Sequence, residues 1–207
     1  MNKKMGLMLV LIIAGIFGRL TLGELLPPSP DIFINLNGIT QPLLMMDLFF
    51  LIAIISMLSG FLLDRRGYSL LVPISIMLVT DLIIGNNLIF LFTWSGFAMI
   101  ALLSHVLKSR GAFCMQRKSM IFSIGIAGVL LYDLWTNFGC WLLWYPHTVK
   151  GLTLCYTLAI PFTLWHLLST SLAIAFVVLP VVYLKEHWMD IKIPRPLHNL
   201  SKRFSLH

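Results

Sequence analysis

Charge is what this chain has least of: 11% of its 207 residues are Asp, Glu, Lys or Arg, and only 8 of them are acidic. Set against 58% hydrophobic residues, that scarcity excludes an ordinary water-soluble domain, in which about a quarter of residues are charged. Catalytic signatures are missing too. No Gly-x-Ser-x-Gly, His-Glu-x-x-His, Walker loop or dinucleotide fingerprint occurs, so the sequence points away from an enzyme and offers nothing to bind ATP for primary pumping. The three cysteines, Cys114, Cys140 and Cys155, follow no zinc or haem spacing. A disulfide between Cys140 and Cys155 is one option, with ordinary buried thiols the simpler expectation. Internal repeats, low-complexity tracts and lipidation signals are absent, and neither a cofactor nor a metal site is expected.

What the chain does have is long hydrophobic runs, and its mean hydropathy is +0.91. About six segments approach the roughly 20 apolar residues needed to cross a 30 Å hydrocarbon layer: Lys4 to Leu22, Leu43 to Leu63, Tyr68 to Ile84, Leu88 to Leu107, Met120 to Leu143 and Leu152 to Leu184. The last exceeds one straight span, and Pro161 is expected to divide it into a short outer helix and a full crossing. The expected fold is an all-α polytopic membrane protein of six transmembrane helices. Residues 1–184 form one transmembrane domain, and 185–207, with Pro194 and Pro196 among basic and polar residues, form a basic cytoplasmic tail lying on the membrane surface.

Basic residues accumulate in cytoplasmic loops. With both termini inside, the inner segments carry Lys3 and Lys4, Arg65 and Arg66, Lys108, Arg110, Arg117 and Lys118, and then Lys185, Lys192, Arg195, Lys202 and Arg203; Arg19 and Lys150 remain for the outer half. The net charge of +7 is therefore a topology signal that would also attract anionic lipid head groups. Nucleic acid is not an expected partner, because no basic stripe is interleaved with aromatics on a soluble face. The first 23 residues read either as a cleaved leader, with Thr21 and Gly23 near a cut, or as a retained helix. Ala14 and Gly18 favour the second, as small residues that let another helix approach, and so does Arg19.

Arg19, Asp47, Asp81 and Asp133 interrupt the apolar segments at similar depth. Arg19, Asp81 and Asp133 each fall roughly 20 Å along an outward-running helix, and Asp47 opens the second helix from the outer side. An unpaired charge at such a depth costs on the order of 2.5 to 3.5 kcal/mol, so each needs a partner or water. Arg19 can pair with one acid but not fully with three. One reading is a structural clamp of Arg19 with Asp81 or Asp133, with Asp47 snorkelling to the surface. The other is a solute site in the outer third, where Asn86, Asn87, Trp94, Thr136, Asn137, Trp141, His147 and His166 also fall. Amides inside an apolar helix need partners, which draws attention to Asn137. Trp144 and Tyr145 read as interfacial anchors. His147 reads as an exposed loop residue, His166 as a hydrogen-bonded helix residue, and His105 has no evident partner.

The blocks TNFGCWLLWYPHTVKGLTLCYTLAIPF (Thr136 to Phe162), LVPISIMLVTDLIIG (Leu71 to Gly85) and GRLTLGELLPPSPDIFIN (Gly18 to Asn35) resemble a poorly characterised family of bacterial transport proteins. That family looks related to the substrate-binding S components of energy-coupling factor transporters. The resemblance spans about Gly18 to about Phe176. It implies a six-helix bundle that holds a vitamin or metal ion near the outer face and docks a coupling subunit and ATPases through small residues on helix one. Ala14 and Gly18 occupy that place here, departing from the Ala-xxx-Ala pattern of the superfamily. Together these readings predict capture of a small polar solute by Arg19, Asp81, Asn86, Asp133, Asn137 and Trp141, under outer loops that include Pro27 to Pro42. The alternative is a structural or assembly subunit that transports nothing.

Overall fold

The computed structural model describes residues 3–85 and 87–192. Helix α1 (Lys3–Thr21) ends in a short 3-10 turn (Leu22–Leu25) and leads into a hairpin of β1 (Phe33–Leu36) and β2 (Ile39–Pro42). Helices α2 (Phe49–Leu62), α3 (Arg66–Ile84), α4 (Phe90–Lys108), α5 (Lys118–Trp144), α6 (Val149–Leu158), α7 (Ile160–Ala173) and α8 (Leu179–Lys192) follow. Five helical stretches are long and apolar enough to cross a membrane: Lys4–Leu25, Arg66–Ile84, Phe90–Lys108, Met115–Trp144 and Ile160–His187.

The expected second span is the exception. Its helix covers only Phe49–Leu62, 14 residues, or about 21 Å at 1.5 Å per residue, instead of Leu43 to Leu63. Asp47 supplies the physical reason: its Oδ1 accepts the Phe49 amide at 3.0 Å, occupying one of the amides that a helix start leaves unpaired. Asp47 therefore precedes α2 rather than lying in its first turn. The carboxylate is also favoured at the positive end of the helix dipole.

This short helix is the axis of the bundle. Every residue from Ile52 to Phe61 is buried, and α2 packs against α1, α3, α4 and α7. In an apolar surrounding, such packing rests on close contact and hydrogen bonding rather than on expulsion of water. Gly60 makes the contact possible, since a Cβ there would lie 2.3 Å from the Ala101 carbonyl oxygen of α4. Against α3, Ser59 Oγ donates to the Ser69 carbonyl (2.9 Å) and Ser69 Oγ to the Ser59 carbonyl (3.1 Å). Ser69 Oγ also meets His105 Nδ1 at 3.3 Å, which supplies the partner that His105 lacked in the sequence.

The expected division at Pro161 occurs: α6 ends at Leu158 and α7 begins at Ile160 with Pro161 in its first turn, where a missing amide costs least. Helices α7 and α8 are joined without a break by a π-helical stretch, Ile174–Val178. There Ile174 fills the space left by Gly125 of α5, where a Cβ would come within 2.2 Å of its Cδ1. The hairpin turns through Asn37 and Gly38, both at positive φ (54° and 84°), as a two-residue β-turn prefers. It rests on the α6–α7 junction through Gln41 Nε2 to the Leu158 carbonyl (3.2 Å) and the Met45 amide to the Pro161 carbonyl (3.3 Å).

At the basic end of the bundle, Asp64 pairs with Lys4 and with Lys108, the latter at 2.9 Å. The expected tail begins inside α8, which continues to Lys192; residues 193–207 lie outside the described residues.

Candidate functional site

At the opposite end, the four ions of the apolar segments form two hydrogen-bonded groups. In the first, Arg19 in the last turn of α1 donates from Nη1 to Asp81 Oδ1 of α3 at 2.6 Å and also meets the Thr80 hydroxyl. A cation at a helix C-terminus is favoured by the helix dipole. The other carboxylate oxygen, Oδ2, accepts the indole N–H of Trp94 from α4 at 2.6 Å. Asp81 is buried, so this ion pair is drawn out of solvent together with its hydrogen bonds.

The second group is built around His166 of α7. Its Nδ1 lies 2.7 Å from Asp133 Oδ1 of α5, and its Nε2 lies 3.0 Å from Asp47 Oδ2 before α2. His166 and Asp133 are buried, whereas the Asp47 side chain is 41% exposed. The Phe49 ring stacks on the imidazole at 3.9 Å, and Trp165 Nε1 donates to the Asp47 carbonyl at 2.9 Å. Asp47 is thus tied to α7 twice instead of snorkelling free. Asp133 Oδ2 is buried without a hydrogen-bond partner.

Between the groups lies a cavity of about 290 Å³, bordered on its polar side by Arg19, Asp47 and Thr93 and on its apolar side by residues that include Phe49, Phe97 and Tyr132. It opens beside the start of α2, where the chain from 43 to 48 is irregular and Asp47 and Leu48 form part of the wall. Non-helical backbone at such a depth is tolerated where it lines a cavity. Among the described residues no His, Cys, Asp and Glu cluster is arranged to hold a metal ion. The Asp47 and Asp133 carboxylates bind opposite nitrogens of His166 rather than converging on one point.

Of the residues expected at the site, Arg19 lines the cavity; Asp81 and Asp133 stand behind its wall, bonded to Arg19 and to His166 respectively. Asn137 does not join them: its Nδ2 donates to the Asp133 carbonyl one turn back, at 2.7 Å. Its side chain instead borders a separate pocket with Gln41, Cys140 and Cys155. Trp141 donates to the Pro146 carbonyl at 3.0 Å and lies in a surface groove with Phe138 and Tyr156, away from the cavity. Asn86 lies outside the described residues. His147 is exposed and His166 is a hydrogen-bonded helix residue, both as the sequence suggested.

All three cysteines are free thiols. Cys155, on the short helix α6, has its pKa pushed up to about 11 by burial and by the neighbouring Cys140. On α1, Gly18 is buried and its missing Cβ makes room for Leu51 of α2, 2.8 Å from where it would stand, while Ala14 faces outward. The two small residues therefore serve different surfaces.

Bundle and site together define a membrane-type helical protein with a polar cavity at the end of the bundle opposite its basic loops. Within that class, the chain belongs to the family of unknown function DUF6580, whose match runs over residues 1–191. No curated protein and no solved structure matches it.

Proposed function

We propose that the protein is an uptake component of the bacterial cytoplasmic membrane that captures a small polar solute, such as a vitamin or related micronutrient, from the outer side. In this reading α2 is a short sixth crossing, both termini are inside, and the basic loops face the cytoplasm. The observation that carries it is the cavity of about 290 Å³ between two buried ionic groups. Its size lies near the lower limit for small-molecule sites, and its apolar wall with few polar groups is typical of them.

A role like that of an energy-coupling factor S component fits this picture. Such a component draws on a coupling subunit and ATPases, and the exposed side of α1, with Val10, Ile13, Ala14 and Phe17, is the surface this reading assigns to the coupling subunit. Native mass spectrometry of the purified protein tests it. A bound small molecule that is lost in Asp133→Asn while the protein remains folded supports capture.

A second reading, a structural or assembly subunit, is favoured by the Arg19–Asp81 pair, which needs no solute to be hydrogen-bonded. It expects an empty protein, and Asp133→Asn would lower the folded amount without removing a separable activity.

A further inference from the structure

We propose that the cavity selects a solute with a single positive charge, an organic ammonium-type cation. This rests on the uptake reading and names the substrate class for the same site. The site contains three carboxylates, Asp47, Asp81 and Asp133, and two basic groups, Arg19 and His166. Arg19 and Asp81 form a neutral pair. His166 stands between the other two acids, and even as an imidazolium it cancels only one of them. Carboxylates thus outnumber basic side chains at the site by three to two, in a region where an uncompensated ion is costly.

Position decides which acid can present its charge to a solute. Asp133 is sealed within the bundle, whereas Asp47 is 41% exposed in its side chain and forms part of the cavity wall. Three aromatic rings share that wall. Phe49 and Tyr132 have centroids 4.7 Å apart, Phe97 and Tyr132 4.5 Å, and Phe49 and Phe97 5.6 Å. A carboxylate set in an aromatic wall is the chemistry that recognises ammonium groups, through charge pairing with the acid and contact of the carbon atoms around the nitrogen with the rings. Arg19, the basic residue on the same wall, is already bonded to Asp81, so the acidic group of an anion or a zwitterion would find no unpaired cation among the lining residues. The small volume limits the solute to a compact one.

The test is binding to the full-length protein in lipid nanodiscs by titration calorimetry, with three probes of similar shape and different charge. Choline is the cation, glycine betaine the zwitterion, and dimethylbutanol the uncharged isostere; tetramethylammonium gives a smaller cation. The expected result is that a cation binds at least about tenfold more tightly than the isostere and the zwitterion, and that Phe97→Leu weakens it by about tenfold. Asp47→Asn is expected to abolish the preference for the cation. Should Asp47→Asn not fold, the wild-type charge series and Phe97→Leu still decide. Equal or tighter binding of betaine or the isostere overturns the cation assignment and leaves the uptake reading standing, as does native mass spectrometry showing a bound neutral or anionic molecule. If no probe binds and no molecule co-purifies, both fall.

Discussion

Trp94 donates its indole N–H to Asp81 at 2.6 Å, on the carboxylate oxygen that Arg19 leaves open. One carboxylate of α3 thereby fastens both α1 and α4. Asp81→Asn keeps the shape but leaves the Arg19 guanidinium without its counter-ion, a change that costs about 3 to 5 kcal/mol when a buried pair is broken. Thermal unfolding in detergent should show a large drop for Asp81→Asn and a smaller one for the double variant Arg19→Leu with Asp81→Leu. Equal losses in the two would mean that the ions are not energetically coupled.

Replacing His166 by Leu removes the group that stands between Asp47 and Asp133 and leaves two acids near each other. The expected outcome is a loss of monodisperse protein on size-exclusion chromatography, partly restored by adding Asp133→Leu. If the single variant behaves like wild type, the imidazole is not what holds α5, α7 and the start of α2 together.

Glycine at position 60 is required by contact with a backbone atom, which cannot swing away as a side chain can. Gly60→Ala should destabilise by about 1 to 3 kcal/mol, the usual result of overpacking. Gly67 in α3 faces open space, so Gly67→Ala should leave stability unchanged or raise it by up to about 1 kcal/mol. Parallel melting curves of the two variants separate packing from helix propensity.

Cys155 should resist alkylation. With its pKa at about 11, roughly one thiol in a thousand is ionised at pH 8, and the thiolate is the reactive form. Labelling should rise about tenfold for each pH unit up to about pH 11. Intact mass after maleimide treatment at pH 7 should therefore show Cys155 unmodified, and modification there in native protein would contradict the burial.

The membrane character, the break before α7 and the buried ions were all legible in the sequence, because each is a local departure from a hydrophobic background. Asp47 shows where local reading stops. It lies inside an apolar stretch, and hydropathy carries the helix through it, yet its carboxylate caps the helix and ends the stretch two residues before Phe49. The hairpin had a readable signal in Asn37–Gly38, but its strands are only four residues each and too short to show an alternating pattern. Trp141 was grouped with the site by depth, and Asn137 by depth and by the partner that an amide needs inside an apolar helix. Depth fixes height along a helix and leaves direction around it open, and both side chains bond back to carbonyls of their own or the adjoining segment. The bridge from Asp47 through His166 to Asp133 was out of reach, since it depends on contacts between three elements far apart in the chain.

The link between Asp47 and His166 spans 119 positions of sequence, and synthesis runs in one direction. When α2 leaves the ribosome, Asp47 has only the Phe49 amide to bond with, and it must wait for α5 to bring Asp133 and for α7 to bring the imidazole that joins them. The polar centre is therefore finished late in the making of the chain. A nascent protein halted before residue 166 would hold both acids without their shared partner, which makes α7 the segment whose arrival closes the bundle.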